Sequence, residues 1–231
     1  FTGPSTLAAP MFARGVPYKA EDFAAVSLAV EPVSVVVVNA ALPVSSLAEL
    51  IDYSKRNPGK LSYGSSGIAS SIHLMAELLK GQSGLDMTHV PYKGVGPAMA
   101  DLAAGHIMVS IASAASALPF SRSGKMRILA VTLDRRYALM PSVPTVSESV
   151  PAFRKPPTWF AMFAPAAVPR AALVRFHASL AKALSAPELK PRFDEEGLLV
   201  VGNTPDEFAA GLKLDMQVHQ RAMDAAGLKP E

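Results

Sequence analysis

Hydrophobic and polar positions along this chain switch between a period of two and a period near 3.6, and the switches mark its elements. β-Branched runs at Ala25–Val30 and Ser34–Val38 read as strands, interrupted at Pro32. Behind them, Ser46-Leu47-Ala48-Glu49 has the form of a capping box. Leu47, Leu50, Ile51 and Ser54 carry the helix onward to Asn57, where Pro58-Gly59 stops it. The pattern then centres on Leu61 to Lys80. A short strand (Leu61, Ser62, Tyr63) enters the loop Gly64-Ser65-Ser66-Gly67. The helix that follows buries Ile72, Met75, Ala76 and Leu79, with Ser70 or Ser71 as N-cap and Gly81 as its stop.

Beyond it, Met87–Val90, Ile107–Ile111 and Ile128–Thr132 read as strands. Helices at Pro97–Ala104 and Leu118–Ser123 lie between them, and the small residues Ala112–Ser116 form a loop. This alternation predicts a parallel α/β sheet with crossover helices. Ligands of such sheets sit beyond the carboxyl ends of the strands, and the Gly64–Ser71 and Ala112–Ser116 loops both leave such ends. Pro141–Pro157 is proline-rich, carries a small capping box at Thr145–Glu148, and reads as a connecting segment. Trp159–Ala164 is a strand, and Pro169 opens a helix striped by Ala172, Leu173, Phe176, Leu180 and Leu184. A helix at Leu189–Glu196, a strand at Leu198–Val201 and a helix capped by Thr204-Pro205-Asp206-Glu207 complete the chain.

The central loop has a chemistry of its own. Its glycines let backbone approach a ligand and its serines offer hydroxyls. The helix behind it turns free N–H groups and a positive dipole end toward whatever the loop holds, which suits a small anion. Other sites fall away. Gly94-x-Gly96 is followed at once by Pro97 and is a turn, and Gly64–Gly67 lacks the glycine spacing of a nucleophile elbow. Ser179-Leu180-Ala181-Lys182 lies mid-helix without companion motifs. The five histidines show no metal spacing. His73, one turn into the helix, either reaches the loop or is a partly buried helix histidine, and Trp159 serves either core or hinge packing or the stacking of a ligand. No nucleophile–base or metal constellation asks for an enzyme, a cofactor or a metal.

Composition narrows the class further. At 231 residues, half of them hydrophobic, the chain can bury a substantial core. A net charge of +3 with no Lys/Arg run and no interleaved aromatics argues against nucleic acid. There is no cysteine, so disulfides and thiolate sites are excluded. No apolar run approaches the roughly 20 residues that span a bilayer, and no signal peptide is visible in the given chain.

Several segments in order resemble the Bug-type extracytoplasmic solute receptors of tripartite tricarboxylate transporters. They are Phe23–Leu28, Pro58–Gly67, His73-Leu74, His89–Gly94, Leu129–Thr132, Val143–Glu148, Trp159–Pro165 and Thr204–Phe208, spanning nearly the whole chain. The resemblance implies a periplasmic-binding-protein type II-like α/β fold. Two lobes would surround a cleft, with crossovers near Ser27–Val38 and Pro157–Pro165. Residues 1–43 would form part of the first lobe and the first crossover, 44–156 the second lobe, and 157–231 the second crossover with C-terminal helices of the first lobe.

It also implies the function: periplasmic capture of a small organic carboxylate for delivery to the transporter's membrane subunits. The alternative is a sensor that presents bound ligand to a signalling partner. Carried over, the ligand-binding residues are Ser65, Ser66, Gly67, Ala69, Ser70, Ser71 and Ser113 on the second lobe. Thr2, Ser5 and Thr6 match a first-lobe loop. The chain departs from the family twice. Ala112–Ser116 replaces an Asp-Asn pair, which removes an expected contact to a ligand amino group. The opening βα units have no counterpart, so the first lobe is expected to be incomplete and to self-associate.

Overall fold

The computed structural model describes residues 2–4, 7 and 15–228. The chain divides into two compact units, one from Phe1–Pro32 with Pro156–Glu231 and one from Val33–Lys155, here called the flanking and central units. Strand β1 (Phe23–Pro32) of the flanking unit runs into β2 (Ser34–Asn39) of the central unit with a single residue, Val33, between them.

The central unit is built on a five-stranded sheet of order β4-β3-β5-β2-β6, with β3 at Ser62–Ser65, β4 at Thr88–Pro91, β5 at Val109–Ser113 and β6 at Met126–Val131. β3 runs parallel to β4 and β5, but β2 is antiparallel to both β5 and β6. The sheet is therefore mixed, where alternation alone predicts a parallel one. The reason is connectivity. β2 follows β1 without a crossover helix, and its first residue, Ser34, pairs with Ser113, the last of β5. It enters at the carboxyl end of its neighbours and must run against them. Every residue of β2 is buried, which explains the unbroken run Val35–Val38.

Helices α1 (Leu47–Arg56), α2 (Ser71–Ser83), α3 (Val95–Ala104), α4 (Ala114–Arg122) and α5 (Val146–Ser149) accompany this sheet. Their apolar stripes, Leu47, Leu50, Met75 and Leu79 among them, close a core with Val36, Val38, Leu61 and Tyr63. Each such side chain contributes roughly 1.5–3 kcal/mol on burial. Val146, Val150 and Phe153 join the same core, and Val131 donates its N–H to the Pro144 carbonyl. Much of Pro141–Pro157 is thus packed structure of the central unit rather than linker.

Local chemistry adjusts one cap and two boundaries. Ser46 caps α1 by accepting the Glu49 amide at 3.1 Å, but the Glu49 carboxylate turns to the amide and hydroxyl of Ser45, so the box is only half closed. α2 runs past Gly81 and ends at Gly84, whose φ of 72° supplies the left-handed cap. Ala114–Ser116, read as loop from their small side chains, are the first turn of α4, capped by Ser113.

In the flanking unit β1 is the middle of a three-stranded antiparallel sheet of order β7-β1-β8, with β7 at Phe160–Pro165 and β8 at Leu198–Val200. Helices α6 (Arg170–Leu184), α7 (Lys190–Glu195) and α8 (Pro205–Ala225) follow. Trp159, Ala161, Phe208 and Leu7 form the core, the indole meeting the Phe208 ring edge-on at 5.4 Å and donating its N–H to Asp215. The stripe of α6 is covered only in part: Leu173, Leu180 and Leu184 are half-buried while Ala172 and Phe176 are exposed.

α8 brings Phe208 into this core from a start that is fully capped. The Thr204 hydroxyl accepts the Glu207 amide, the Glu207 carboxylate accepts the Thr204 amide, and Pro205 takes the first position. Thr204→Ala should lower the stability of the flanking unit by about 1 kcal/mol, with Thr204→Ser close to neutral. Urea unfolding followed by fluorescence of Trp159, the only tryptophan, reads that unit directly.

Candidate functional site

The residues carried over from sequence separate by unit. Ser65, Ser66, Gly67, Ala69, Ser70, Ser71 and Ser113 all belong to the central unit and lie at one end of its sheet, where β3 and β5 finish side by side in the register Gly64–Ser110. Thr2 belongs to the flanking unit, where its backbone bridges to Ala161 in both directions. Ser5 and Thr6 lie outside the described residues.

β3 ends in a backbone that tolerates no side chain at Gly64. A Cβ there would meet Ile107 Cδ1 at 2.4 Å and Tyr92 Cε2 at 3.2 Å, and the Gly64 carbonyl is held by the Ser110 hydroxyl at 3.0 Å. Ser65, next in line, is completely buried. Its Oγ accepts the Gly67 amide (3.1 Å), reaches the Gly67 carbonyl (3.0 Å) and lies 2.7 Å from His89 Nε2. That hydroxyl therefore shapes the turn from within. The chain reverses through Gly67 (φ 129°) and Ala69, whose φ of 60° is a left-handed conformation unusual for a residue with a Cβ.

The turn is held by ring nitrogens. The Ala69 amide donates to His73 Nδ1 at 3.1 Å, while the His73 amide donates back to the Ser70 hydroxyl at 3.2 Å, which makes Ser70 the N-cap of α2. The His73 ring is stacked on that of His89 at 4.0 Å, and His89 in turn on Tyr63 at 4.9 Å. The Tyr63 hydroxyl donates to Glu77 at 2.6 Å, and Lys80 pairs with the same carboxylate at 2.8 Å. Burial, and then the neighbouring His89, lower the His73 pKa from an ordinary 6.5 to about 4. Burial also lowers that of His89, and burial with the Glu77 bond pushes the Tyr63 hydroxyl far above its usual range. At neutral pH the layer beneath the loop is uncharged apart from the Glu77–Lys80 pair. His73 thus satisfies both of its sequence readings, buried and in reach of the loop.

What this leaves open is a set of donors. Among the described residues, the backbone N–H groups of Ser66, Ile68, Ser71 and Ile72 have no acceptor, nor do the hydroxyls of Ser66 and Ser71 have a partner. On the adjacent strand Ser113 caps α4 by accepting the Ser116 amide at 3.2 Å, and the two hydroxyls meet at 2.7 Å. The Ala115 amide is likewise unpaired there. Two helix N-termini thus flank one end of the sheet, and no charged side chain occurs in 64–72 or 112–116. Neutral, pre-oriented donors beside a positive dipole end recognise an anion without a counter-ion. Ile68 stands 65% exposed among them, an apolar surface next to the donors. Sequence reasoning passed over Ser116, hidden in a run of small residues, and His89, whose role depends on a stack between strand and helix. Among the described residues no His, Asp or Glu cluster could hold a metal, and no helix is long and apolar enough to cross a membrane.

Residues 2–215 match the family described as Tripartite tricarboxylate transporter family receptor, and the chain belongs to that family. A UPF0065 protein encoded in the tcbD-tcbE intergenic region of Pseudomonas sp. strain P51 is 35% identical over 209 residues, covering 89% of this chain and 62% of that protein. Rpa4515 of R. palustris, solved with adipate, superposes with a TM-score of 0.88 at 29% identity, over 100% of this chain and 78% of that one. The periplasmic binding protein BugD gives 0.83 at 25% identity, over 99% of this chain and 78% of its own. The fold is that of periplasmic binding proteins, and the matching family is one of transporter receptors. The chain spans about three fifths of the length of the Pseudomonas relative.

The buried histidine carries a pH dependence with a definite sign. His73 binds its proton less well folded than unfolded, so its contribution is complete above pH 6.5 and is lost as the pH falls toward about 4. Thermal unfolding of the chain between pH 7 and 4 should show that loss. His73→Asn, which keeps an acceptor near Nδ1 but does not titrate, should flatten the curve over this interval. An unchanged slope in the variant would count against a neutral, buried His73.

Proposed function

We propose that this chain binds a small organic carboxylate through the donors that end β3 and β5. The observation that carries this reading is the convergence of two capped helix N-termini, with unpaired amides and no charged side chain, at one end of the central sheet. An adipate-bound neighbour of the same fold supports the ligand class. On this reading Ser66, Gly67, Ala69, Ser70 and Ser71 form the carboxylate loop and Ser113 lends the second helix start, while Ser65 holds the loop's shape from below. Thr2, Ser5 and Thr6 remain proposed contacts of the flanking unit. Ala112–Ser116 contains no acidic residue to pair with an ammonium group, which favours acids without an amino group.

In the cell, the proposed role is that of a periplasmic receptor that hands its ligand to the membrane subunits of a tripartite tricarboxylate transporter. Family membership supports it. Self-association through the flanking unit belongs to the same proposal, and light scattering of the purified chain tests it: a monodisperse monomer would remove it.

Affinity follows from the donors. A hydrogen bond to a charged acceptor contributes roughly 1.5–3 kcal/mol, and a helix N-terminus about 0.3–2 kcal/mol more. Three such bonds, less the cost of ordering the ligand, place binding on the order of micromolar. Position 71 allows one donor to be removed cleanly. It is the first residue of α2, where proline is tolerated, and Ser70 already has the extended conformation (φ −65°, ψ 154°) that precedes proline. Ser71→Ala removes the hydroxyl alone, and Ser71→Pro removes the amide as well. Calorimetric titration with adipate should show Ser71→Pro binding about tenfold or more weakly than Ser71→Ala, since 1.4 kcal/mol is tenfold. Equal affinities in two folded variants would take the α2 amide out of the site.

A further inference from the structure

The binding loop of the proposed function is held by a side chain that itself has no place for a ligand. The Ala69 amide, in the middle of the turn, donates to His73 Nδ1 at 3.1 Å, and the same histidine's amide donates to Ser70 at 3.2 Å. A single residue thus ties the left-handed corner of the loop to the first turn of α2. The direction of the Ala69 bond fixes the tautomer: Nδ1 must be a bare acceptor, with the ring proton on Nε2. From the other side Ser65, fully buried, is 2.7 Å from His89 Nε2 and bonds both the amide and the carbonyl of Gly67.

We infer that His73 is a positioning residue of the carboxylate site, whose bare Nδ1 holds the Ala69 amide and with it the free amides of the loop, so that a proton on Nδ1 opens the loop and releases the ligand. The inference rests on the carboxylate reading above for its ligand and on the observed bonds for its mechanism.

The surroundings make that proton costly yet attainable. Facing the His73 ring are His89 from β4, stacked at 4.0 Å, Tyr63 from β3 beyond it, and Glu77 and Lys80 from α2 itself. Burial, His89 and Lys80 disfavour the charged ring while Glu77 favours it, and the group titrates at about 4. Once charged, the ring presents an N–H to the Ala69 N–H where a bond existed before. The amide of Ala69, held at φ 60° with a Cβ, then has no acceptor to keep it there, and the turn that carries the free amides of Ser66 and Ile68 loses that anchor. His89 Nε2 is committed elsewhere, to the Ser65 hydroxyl at 2.7 Å.

The test compares the chain with His73→Asn, which restores an acceptor at nearly the same place without titrating, and with His73→Leu, which keeps bulk and removes the acceptor. Adipate is the probe for calorimetry from pH 7 to 4, and amide hydrogen exchange at Ala69, read by NMR without ligand, is the second readout. At pH 7 His73→Asn should bind within a few-fold of the parent and His73→Leu about tenfold or more weakly. On acidification the parent should lose at least tenfold more affinity than His73→Asn, in which the ligand's own titration is equally present. Protection of the Ala69 amide should follow the same order: kept in His73→Asn, lost in His73→Leu, and lost in the parent as the pH falls toward 4. If the parent binds no adipate at any pH, the carboxylate reading fails for this ligand, and the Ala69 amide alone decides the role of His73. Undiminished protection in folded His73→Leu, or the same pH profile in parent and His73→Asn, would overturn the inference.

Discussion

A buried hydroxyl must find partners or cost the fold a desolvation penalty of about 1–3 kcal/mol. Ser65, at the end of β3, meets that requirement through His89 and Gly67, and the shape of the loop between β3 and α2 follows from how it does so. Binding Gly67 at both its amide and its carbonyl forces an immediate reversal of the chain. The reversal leaves Ala69 in a left-handed conformation that needs its own anchor, which His73 provides. With the interior polar atoms of the turn so occupied, the remaining donors, the amides of Ser66, Ile68, Ser71 and Ile72, are left without an acceptor among the described residues. The same structure that satisfies the inside of the loop thereby leaves the amides of Ser66 and Ile68 without an acceptor, and the proposed carboxylate would complete them.

The sheet explains why two helix starts share this position. β3 and β5 are parallel neighbours, so both finish at the same end, and each is followed by a serine-capped helix. β2 begins at that end too, with Ser34 beside Ser113, because it arrives from β1 and runs the opposite way. The Ser34 carbonyl accepts from the amide and hydroxyl of Thr132, and the Val33 carbonyl from the Ala114 amide, so this rim is bonded across three strands. A site placed there is supported by backbone rather than by mobile side chains, which suits recognition by pre-oriented neutral donors.

Much of this was legible in the sequence. The strand–loop–helix at Leu61–Lys80, the caps at Ser70 and Thr204 and the α/β class all follow from periodicity and end signals. Motifs in family order led to a family that the comparison upholds. The misreadings have local causes. Alternation of strand and helix carries no sign for strand direction, so the antiparallel β2 was invisible until its register was seen. Alanine and serine read equally as loop or as first helical turn, which hid α4 behind Ala112–Ser116. Glu49 turns to Ser45 rather than Ser46 because a serine amide and hydroxyl together offer two donors to one carboxylate. The histidine stack is non-local: His73 and His89 lie on different elements, and only the fold brings their rings to 4.0 Å.

The central claim is that backbone donors of the loop between β3 and α2 receive a carboxylate. An NMR titration of the ¹⁵N-labelled chain with adipate addresses those donors individually. The amide protons of Ser66, Ile68, Ser71 and Ile72 should move downfield together with one saturation curve, as protons gaining a charged acceptor do, with a smaller response at Ala115. Saturable binding that leaves those amides in place and shifts residues elsewhere would contradict the account.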